Sequence, residues 1–342
     1  MIIRKIEDKD LNDLIQFNSK IYPRRINIEE SIKYRFYHNP FITKLSNENI
    51  IAKDSNDNIV GQVLMLPSEL IYNKVKYPVY WAIDFFVDET SRGYSGFIIA
   101  KKAVSVNYHF GVGVSDIALK LHLALGERIA GYLVKYVKFS SLFSILKFIK
   151  KNKSGLIKSY VFPESIEIKG GKFIRVYDSK DIITEAGYWN EDLIELTRDQ
   201  IFMDWRFFYY PNKYFIYKYI DDIESNNTIP IYFVVRSVKW RGVDCLLVVD
   251  YRLSLSNGDS LKKILKATTR LSQKLKIAAS IFCSSLPNCD PLIRKQRFFK
   301  VGKKSVIVTK FLNDKENMNV EKNMIFVTPA DSDVDFYYDN KF

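Results

Sequence analysis

The chain has 342 residues, 47% apolar and 15% aromatic, which describes a folded protein of about two domains and excludes a disordered one. Its 52 Lys and Arg against 39 Asp and Glu leave a net charge of +13, which favours a phosphorylated ligand, an anionic membrane surface or nucleic acid without choosing among them. Three scattered cysteines with no CxxC pair, no apolar leader and no run long enough to cross a bilayer predict a reduced, soluble, cytoplasmic protein.

In chain order, residues 2–6 read as a strand and 10–22 as a helix. Asn27 and Glu30 resemble a capping box opening a second helix, with Ile28, Ile32 and Phe36 on one face and Pro40 as its stop. Strands are expected at 49–53, 59–72 and 79–87, followed by the polar loop DETSRGYSG and a helix over 97–108. The strand FGVGV, a helix over 117–126 and a strand over 129–139 follow. Residues 140–158 form a Lys-rich connector, and 159–190 hold short strands and turns.

The second half repeats this order. Thr197 and Gln200 suggest another capping box, leading into IFMDWRFFYY and Pro211. Strands at 214–220, 230–240 and 243–253 precede the loop SLSNGD, a helix over 260–276, a strand, the helix PLIRKQRFF and the strand SVIVTKFL. The segments YRFYHNPF and WRFFYYPN stand half a chain length apart, and order and segment together predict a duplicated fold. Because both halves keep this segment, Phe36 and Phe207 are expected as core anchors. Arg35 and Arg206 are expected to tie their helices to a neighbouring acid or carbonyl.

One loop is not repeated. Val87 to Phe97, VDETSRGYSGF, lies between a strand and a helix. A glycine-bearing loop there can turn backbone N–H groups toward a phosphate at the helix's positive end. Arg92 adds charge, Gly93 and Gly96 permit close approach, and Tyr94 can flank a ligand. Neither a GxGxxG fingerprint nor a GK[ST] loop fits.

This stretch resembles the phosphate loop of the GNAT acyltransferase superfamily, V-x-P-x-x-[RQ]-G-x-G-x-[GA]. Val87, Arg92 and Gly93 match, while Glu89, Ser95 and Phe97 depart from it and Gly96 falls between the expected glycines. The following strand, Ser115, and a helix ending at Gly126 fit the same family, with Glu127 where phenylalanine is usual. The resemblance implies an α/β (α+β) protein of two tandem GNAT-like domains, each a mixed, mostly antiparallel sheet flanked by helices. Residues 1–139 would be an acyl-CoA-binding domain, 140–190 a connector, and 191–342 a second domain without a phosphate loop. It further implies a pyrophosphate on Arg92, Gly93, Tyr94, Ser95, Gly96 and Phe97, with pantetheine along Phe86 and Val87 and a contribution from Ser115. The co-substrate would be acetyl-CoA or another acyl-CoA, without a metal. The acceptor would be the amine of a small metabolite such as an aminosugar. A Fem-like aminoacyl-tRNA-dependent transferase and a non-catalytic binding protein are the alternatives.

Asp84 and His122 are the candidate catalytic residues. A carboxylate among Trp81, Ile83, Phe85 and Phe86 is costly unless paired, and its pKa would tend to rise, which suits a general base; a paired structural acid is the other reading. His122 stands where the family often has a tyrosine that protonates the departing thiolate, and imidazolium can do the same. A merely packed histidine is its alternative. His38 and His109 show no partner in the sequence, and the histidines and cysteines show no metal spacing. The run FSSLFSILKFIKKNK is expected to pack between the halves with its lysines solvated, the alternative being a basic amphipathic helix on an anionic membrane. RKQRFFKVGKK, 294–304, is a basic patch that a tRNA could use or that water could solvate.

Overall fold

The computed structural model describes residues 1–23, 25, 27–42, 47–106, 108–150, 158–182, 193–210, 214–221, 230–253, 258–310, 324–332 and 334–335. Pro211, residues 254–257 of the SLSNGD loop, residues 183–190, Lys151 and Lys153 lie outside them. The chain divides into two compact units, Met1–Leu133 with Ser305–Ile325, and Val134–Lys304 with Phe326–Phe342. The boundary drawn from sequence at residue 139 differs, because Ser305–Ile325 belongs to the first unit.

The first unit contributes β1 (Ile2–Lys5), α1 (Leu11–Ile21), α2 (Ile28–Tyr37), β2 (Ile50–Lys53), β3 (Ile59–Tyr72), β4 (Val75–Val87), α3 (Tyr94–Val104), β5 (His109–Val112), α4 (Asp116–Ala124) and Arg128–Leu133 of β6 (Arg128–Phe139). The second contributes the rest of β6, then α5 (Leu142–Ile149), β7 (Ser165–Ile168), β8 (Gly171–Val176), β9 (Leu193–Leu196) and α6 (Gln200–Met203). A π-helical turn over Asp204–Phe208 continues α6. Then follow β10 (Phe215–Asp221), β11 (Tyr232–Trp240), β12 (Val243–Arg252), α7 (Asp259–Lys274), β13 (Ala279–Ser284), α8 (Asp290–Lys295) and β14 (Phe299–Lys300). β15 (Ser305–Lys310) returns to the first unit.

Each unit is the mixed, mostly antiparallel sheet with helices that the sequence leads one to expect. In the first, the strand order is β1-β2-β3-β4-β5-β15-β6, and among the described residues only β4 and β5 pair in parallel. In the second, Val134–Phe139 of β6 is followed by β13-β12-β11-β10-β8-β7, with β12 and β13 the only parallel pair among the described residues. β3 is buried along its whole length, including the polar Gln62, Ser68 and Glu69 within its mostly apolar sequence. Ile50, Val63, Met65 and Tyr80 of the sheet form one core with Ile99 and Ala103 of α3. In the second unit α7 presents Leu261, Ile264, Leu265, Thr268 and Leu271 inward, the spacing of one helical face.

Both Arg-Phe segments hold their helices as expected. Phe36 and Phe207 are buried. Arg35 Nη1 donates to Asp84 at 3.3 Å, and Arg206 donates to Asp335 at 2.6 Å and to the Ala330 carbonyl at 3.0 Å.

Three local expectations are corrected. Asn27 precedes α2 at φ 53° and makes no side-chain cap, so the left-handed backbone rather than a capping box starts that helix. α6 is capped by Asp199, whose carboxylate accepts from the Phe202 amide, two residues after the expected Thr197. Among the described side chains of α5, Ser144 and Phe148 are buried, whereas Leu142, Phe143, Leu146 and Ile149 are exposed, so most of the apolar residues expected to pack are instead at the surface.

Candidate functional site

The unrepeated loop sits at the head of α3. After β4 the chain makes a short 3-10 turn over Glu89–Ser91, and Gly93, at φ 96°, turns it into the helix. That backbone conformation favours glycine. No side chain caps the helix, and its first backbone hydrogen bond runs from the Phe97 amide to the Gly93 carbonyl. The amides of Tyr94, Ser95 and Gly96 therefore have no intrahelical acceptor. Arg92, Tyr94 and Phe97 are exposed around them, and Ser95 is buried. Arg92 is held on its own loop, with Nε donating to the Val87 carbonyl at 3.3 Å and Nη1 3.4 Å from Glu89. Phe97 does not keep α3 off the sheet. The close approach occurs at Gly61, where an added Cβ would lie 2.9 Å from Ile99 Cδ1.

Beside this loop β4 leaves its neighbour. Pairing with β5 covers Tyr80, Trp81 and Ala82 opposite His109, Phe110 and Gly111, and β4 continues to Val87. The register against β3 slips over the same stretch, leaving Asp84 and Phe85 as a bulge. Asp84 takes φ 49°, a conformation that needs outside support in a non-glycine residue. Gln62 Nε2 donates to the Asp84 carbonyl at 3.1 Å, and Gln62 Oε1 accepts from Asn18 Nδ2 at 2.9 Å. The Asp84 carboxylate is fully enclosed, 2.8 Å from Arg25 Nη1 and 3.3 Å from Arg35 Nη1. Burial penalises its charge, but the two arginines outweigh that and hold its pKa below the usual carboxylate range. The rise expected from the surrounding apolar residues is thus reversed, because both cations come from distant sequence.

His122 faces the bulge from α4, with its ring edge-on to Phe85 at a centroid distance of 6.5 Å. Its Nδ1 is 2.8 Å from Oε1 of Glu127. The same oxygen is 2.8 Å from Nε2 of His109, whose Nδ1 donates to the Val106 carbonyl at 2.9 Å. Since a carbonyl only accepts, the contact between His109 and Glu127 is bridged by one further shared proton. Burial pushes the Glu127 carboxyl up, yet the hydrogen bonds from His109 and His122 bring it down to about 2. His109, expected without a partner, is thus part of a buried triad, and His38 stacks on Tyr34. Glu127 was the residue sequence reasoning missed. Its one signal was a carboxylate at a position the resembling family fills with an apolar ring.

The remaining candidates are more ordinary. Ser115 caps α4, its hydroxyl accepting from the Ala118 amide at 3.2 Å. In the basic patch Phe298 is buried, Phe299 is exposed, and Arg294 pairs with Asp290 at 3.0 Å. Among the described residues no cluster of His, Cys, Asp or Glu is arranged to hold a metal ion, and no helix is long and apolar enough to cross a membrane.

No family model matches the sequence, and no match to a curated protein was found. Solved structures do match in fold. A probable N-acyltransferase from Enterococcus faecalis shares 12% identity at a TM-score of 0.59, over 91% of this chain and 72% of its own. A GCN5-related N-acetyltransferase from Anabaena variabilis shares 11% identity at 0.56, over 91% and 73%. The N-myristoyltransferase of Saccharomyces cerevisiae, solved with bound myristoyl-CoA and inhibitors, shares 9% identity at 0.57, over 94% and 85%. At such identities the likeness is one of fold. The chain has the GNAT fold, in two tandem GNAT-like units.

Proposed function

We propose that the protein is an acyl-CoA-dependent N-acyltransferase whose active site lies in the first unit. The observation that carries this reading is the meeting of two features at one end of β4. The uncapped, positively poled start of α3 with Arg92 adjoins the stretch where β4 and β5 cease to pair. The amides at Tyr94, Ser95 and Gly96 would take the pyrophosphate, aided by Arg92 and flanked by Tyr94 and Phe97. Pantetheine would lie along Phe86 and Val87, adding its amides where β5 has stopped. Ser115 serves this site by starting α4, the helix that carries His122.

A neutral amine attacks the thioester carbonyl, forming the C–N bond. The C–S bond breaks, and the His122 imidazolium delivers a proton to the sulfur while the amine's surplus proton restores the imidazolium. Glu127 holds His122 through Nδ1, which directs Nε2 to this transfer. Asp84, locked between two arginines, is a poor proton acceptor near neutral pH. Its part is to shape the bulge that opens β4. Acetyl is the simplest acyl group, and a small-molecule amine the simplest acceptor.

Calorimetry with acetyl-CoA on the wild type and on Arg92→Glu tests the reading. The wild type should bind and the variant should bind at least about tenfold more weakly, having lost a charge-assisted phosphate contact. Absence of heat and of any rise in melting temperature with millimolar acetyl-CoA would overturn it, as would binding of aminoacyl-tRNA in its place.

A further inference from the structure

In the second unit β12 and β13 part as β4 and β5 do in the first. They pair from Cys245 to Leu247 opposite Ala279 to Ile281, while β12 continues to Arg252 and β13 to Ser284. Residues 326–331 of the same unit cross the gap that opens there. Beyond the end of β13, the Val327 amide donates to the Ser285 hydroxyl at 2.8 Å. On the β12 side, the Ala330 amide donates to the Val249 carbonyl at 3.1 Å. Val249 is the residue that the register against β11 skips. Phe326 lies edge-on to Tyr251 at a centroid distance of 5.3 Å, and the Tyr251 hydroxyl donates to Ser284 Oγ at 3.0 Å.

This segment also brings carboxylates to buried guanidinium groups. Arg198 Nη2 lies 2.9 Å from Asp250 of β12 and 2.7 Å from Asp331. Arg206 donates through Nε to the Ala330 carbonyl at 3.0 Å and through Nη2 to Asp335 at 2.6 Å. The Tyr214 hydroxyl donates to the other Asp335 oxygen at 2.7 Å. Phe326, Val327, Thr328, Ala330, Asp331 and Asp335 are all buried. Backbone hydrogen bonds to a strand, an aromatic ring in contact and acids held by arginines are the means by which a sheet cleft grips an extended peptide.

We propose that the second unit carries a binding cleft for an extended acidic segment, and that residues 326–331 with Asp335 fill it from within the same chain. Val249 and Ser285 fix the backbone of the occupant, and Arg198 and Arg206 select its carboxylates. The gap that pantetheine would use in the first unit is thus taken in the second. The cleft itself does not depend on the acyltransferase reading, since every contact that defines it lies in the other unit.

Loosening the segment in place tests the proposal. In the 342-residue chain, Ala330→Pro removes the amide that meets Val249, and the melting temperature should fall by roughly 5 °C or more. A fluorescent peptide with the sequence of residues 324–342 should then bind the variant, and should bind the wild type, whose cleft is filled, at least about tenfold more weakly. Saturating peptide should restore most of the lost melting temperature. The same peptide carrying Asp335→Asn should bind the variant about tenfold more weakly, having lost its charge-assisted bonds to Arg206. Should Ala330→Pro not fold by itself, refolding on addition of the peptide, followed by circular dichroism, reads the same binding. Wild type that binds the peptide as the variant does would overturn the proposal, as would a variant as stable as the wild type. A loss of stability that the peptide does not restore would also overturn it, and would make the segment ordinary interior packing.

Discussion

Asp84 sits among apolar neighbours at the point where β4 bulges, and Arg25 and the buried Arg35 share its charge. The second unit repeats the arrangement at its own bulge. There the register slips between β11 and β12, and buried Asp250 pairs with Arg198 at 2.9 Å. An acid kept by the unit without the phosphate loop serves the fold that both units share. Asp84→Asn should therefore destabilise the protein by about 3–5 kcal/mol, because it removes the buried carboxylate charge that pairs with both Arg25 and Arg35. Urea denaturation measures this, and a variant as stable as wild type would restore the case for a catalytic base. Glu127 makes a second prediction. Its folded pKa, lowered from 4.5 to about 2, contributes stability that is present above its unfolded pKa and lost as pH falls through the folded one. The wild type should thus lose stability on the order of 3 kcal/mol between about pH 4.5 and pH 2 from this group, and Glu127→Gln should flatten that part of the profile. The cost of a carboxylate at position 84 was legible in its neighbours. The sign of its pKa shift was not, because Arg25 and Arg35 reach it across the fold, and Glu127 likewise joins two histidines that no local spacing connects.

Helices and strands follow the sequence closely where one face is buried. The spacing of Ile32 and Phe36 in α2, and of the α7 core residues, marks those elements within a few residues of their ends. Helix starts were less legible, since Asn27 begins α2 through a left-handed backbone and a side-chain cap is absent. The packing of α3 was also hidden. Phe97 occupies a position where the resembling family has a small residue, yet it faces solvent, and the close approach falls at Gly61 on β3. A methyl group there would meet Ile99 Cδ1 at 2.9 Å. Gly61→Ala should cost about 1–3 kcal/mol by overpacking. Adding Ile99→Val, which removes that Cδ1, should recover part of the loss, and a double-mutant cycle measures the coupling. Strict additivity would show that α3 does not rest on this contact.

For the molecule as a whole, the duplicated order was readable and the strand partners were not. Periodicity marks 129–139 and 305–312 as strands, but it says nothing of which strand each will join. β15 pairs with β5 on one edge and with Arg128–Leu133 on the other, and Val134–Phe139 pairs with β13. A fragment ending at residue 139 would therefore lack the strand between β5 and β6. It should show no cooperative thermal transition by circular dichroism, and a sharp two-state melt would contradict that. The central claim is that acyl-CoA binds at the unrepeated loop of the first unit. Amide hydrogen exchange with and without acetyl-CoA tests it most directly. Slowed exchange concentrated in peptides covering Phe86 to Phe97 is the predicted result, and unchanged exchange there, with protection elsewhere or nowhere, would contradict it.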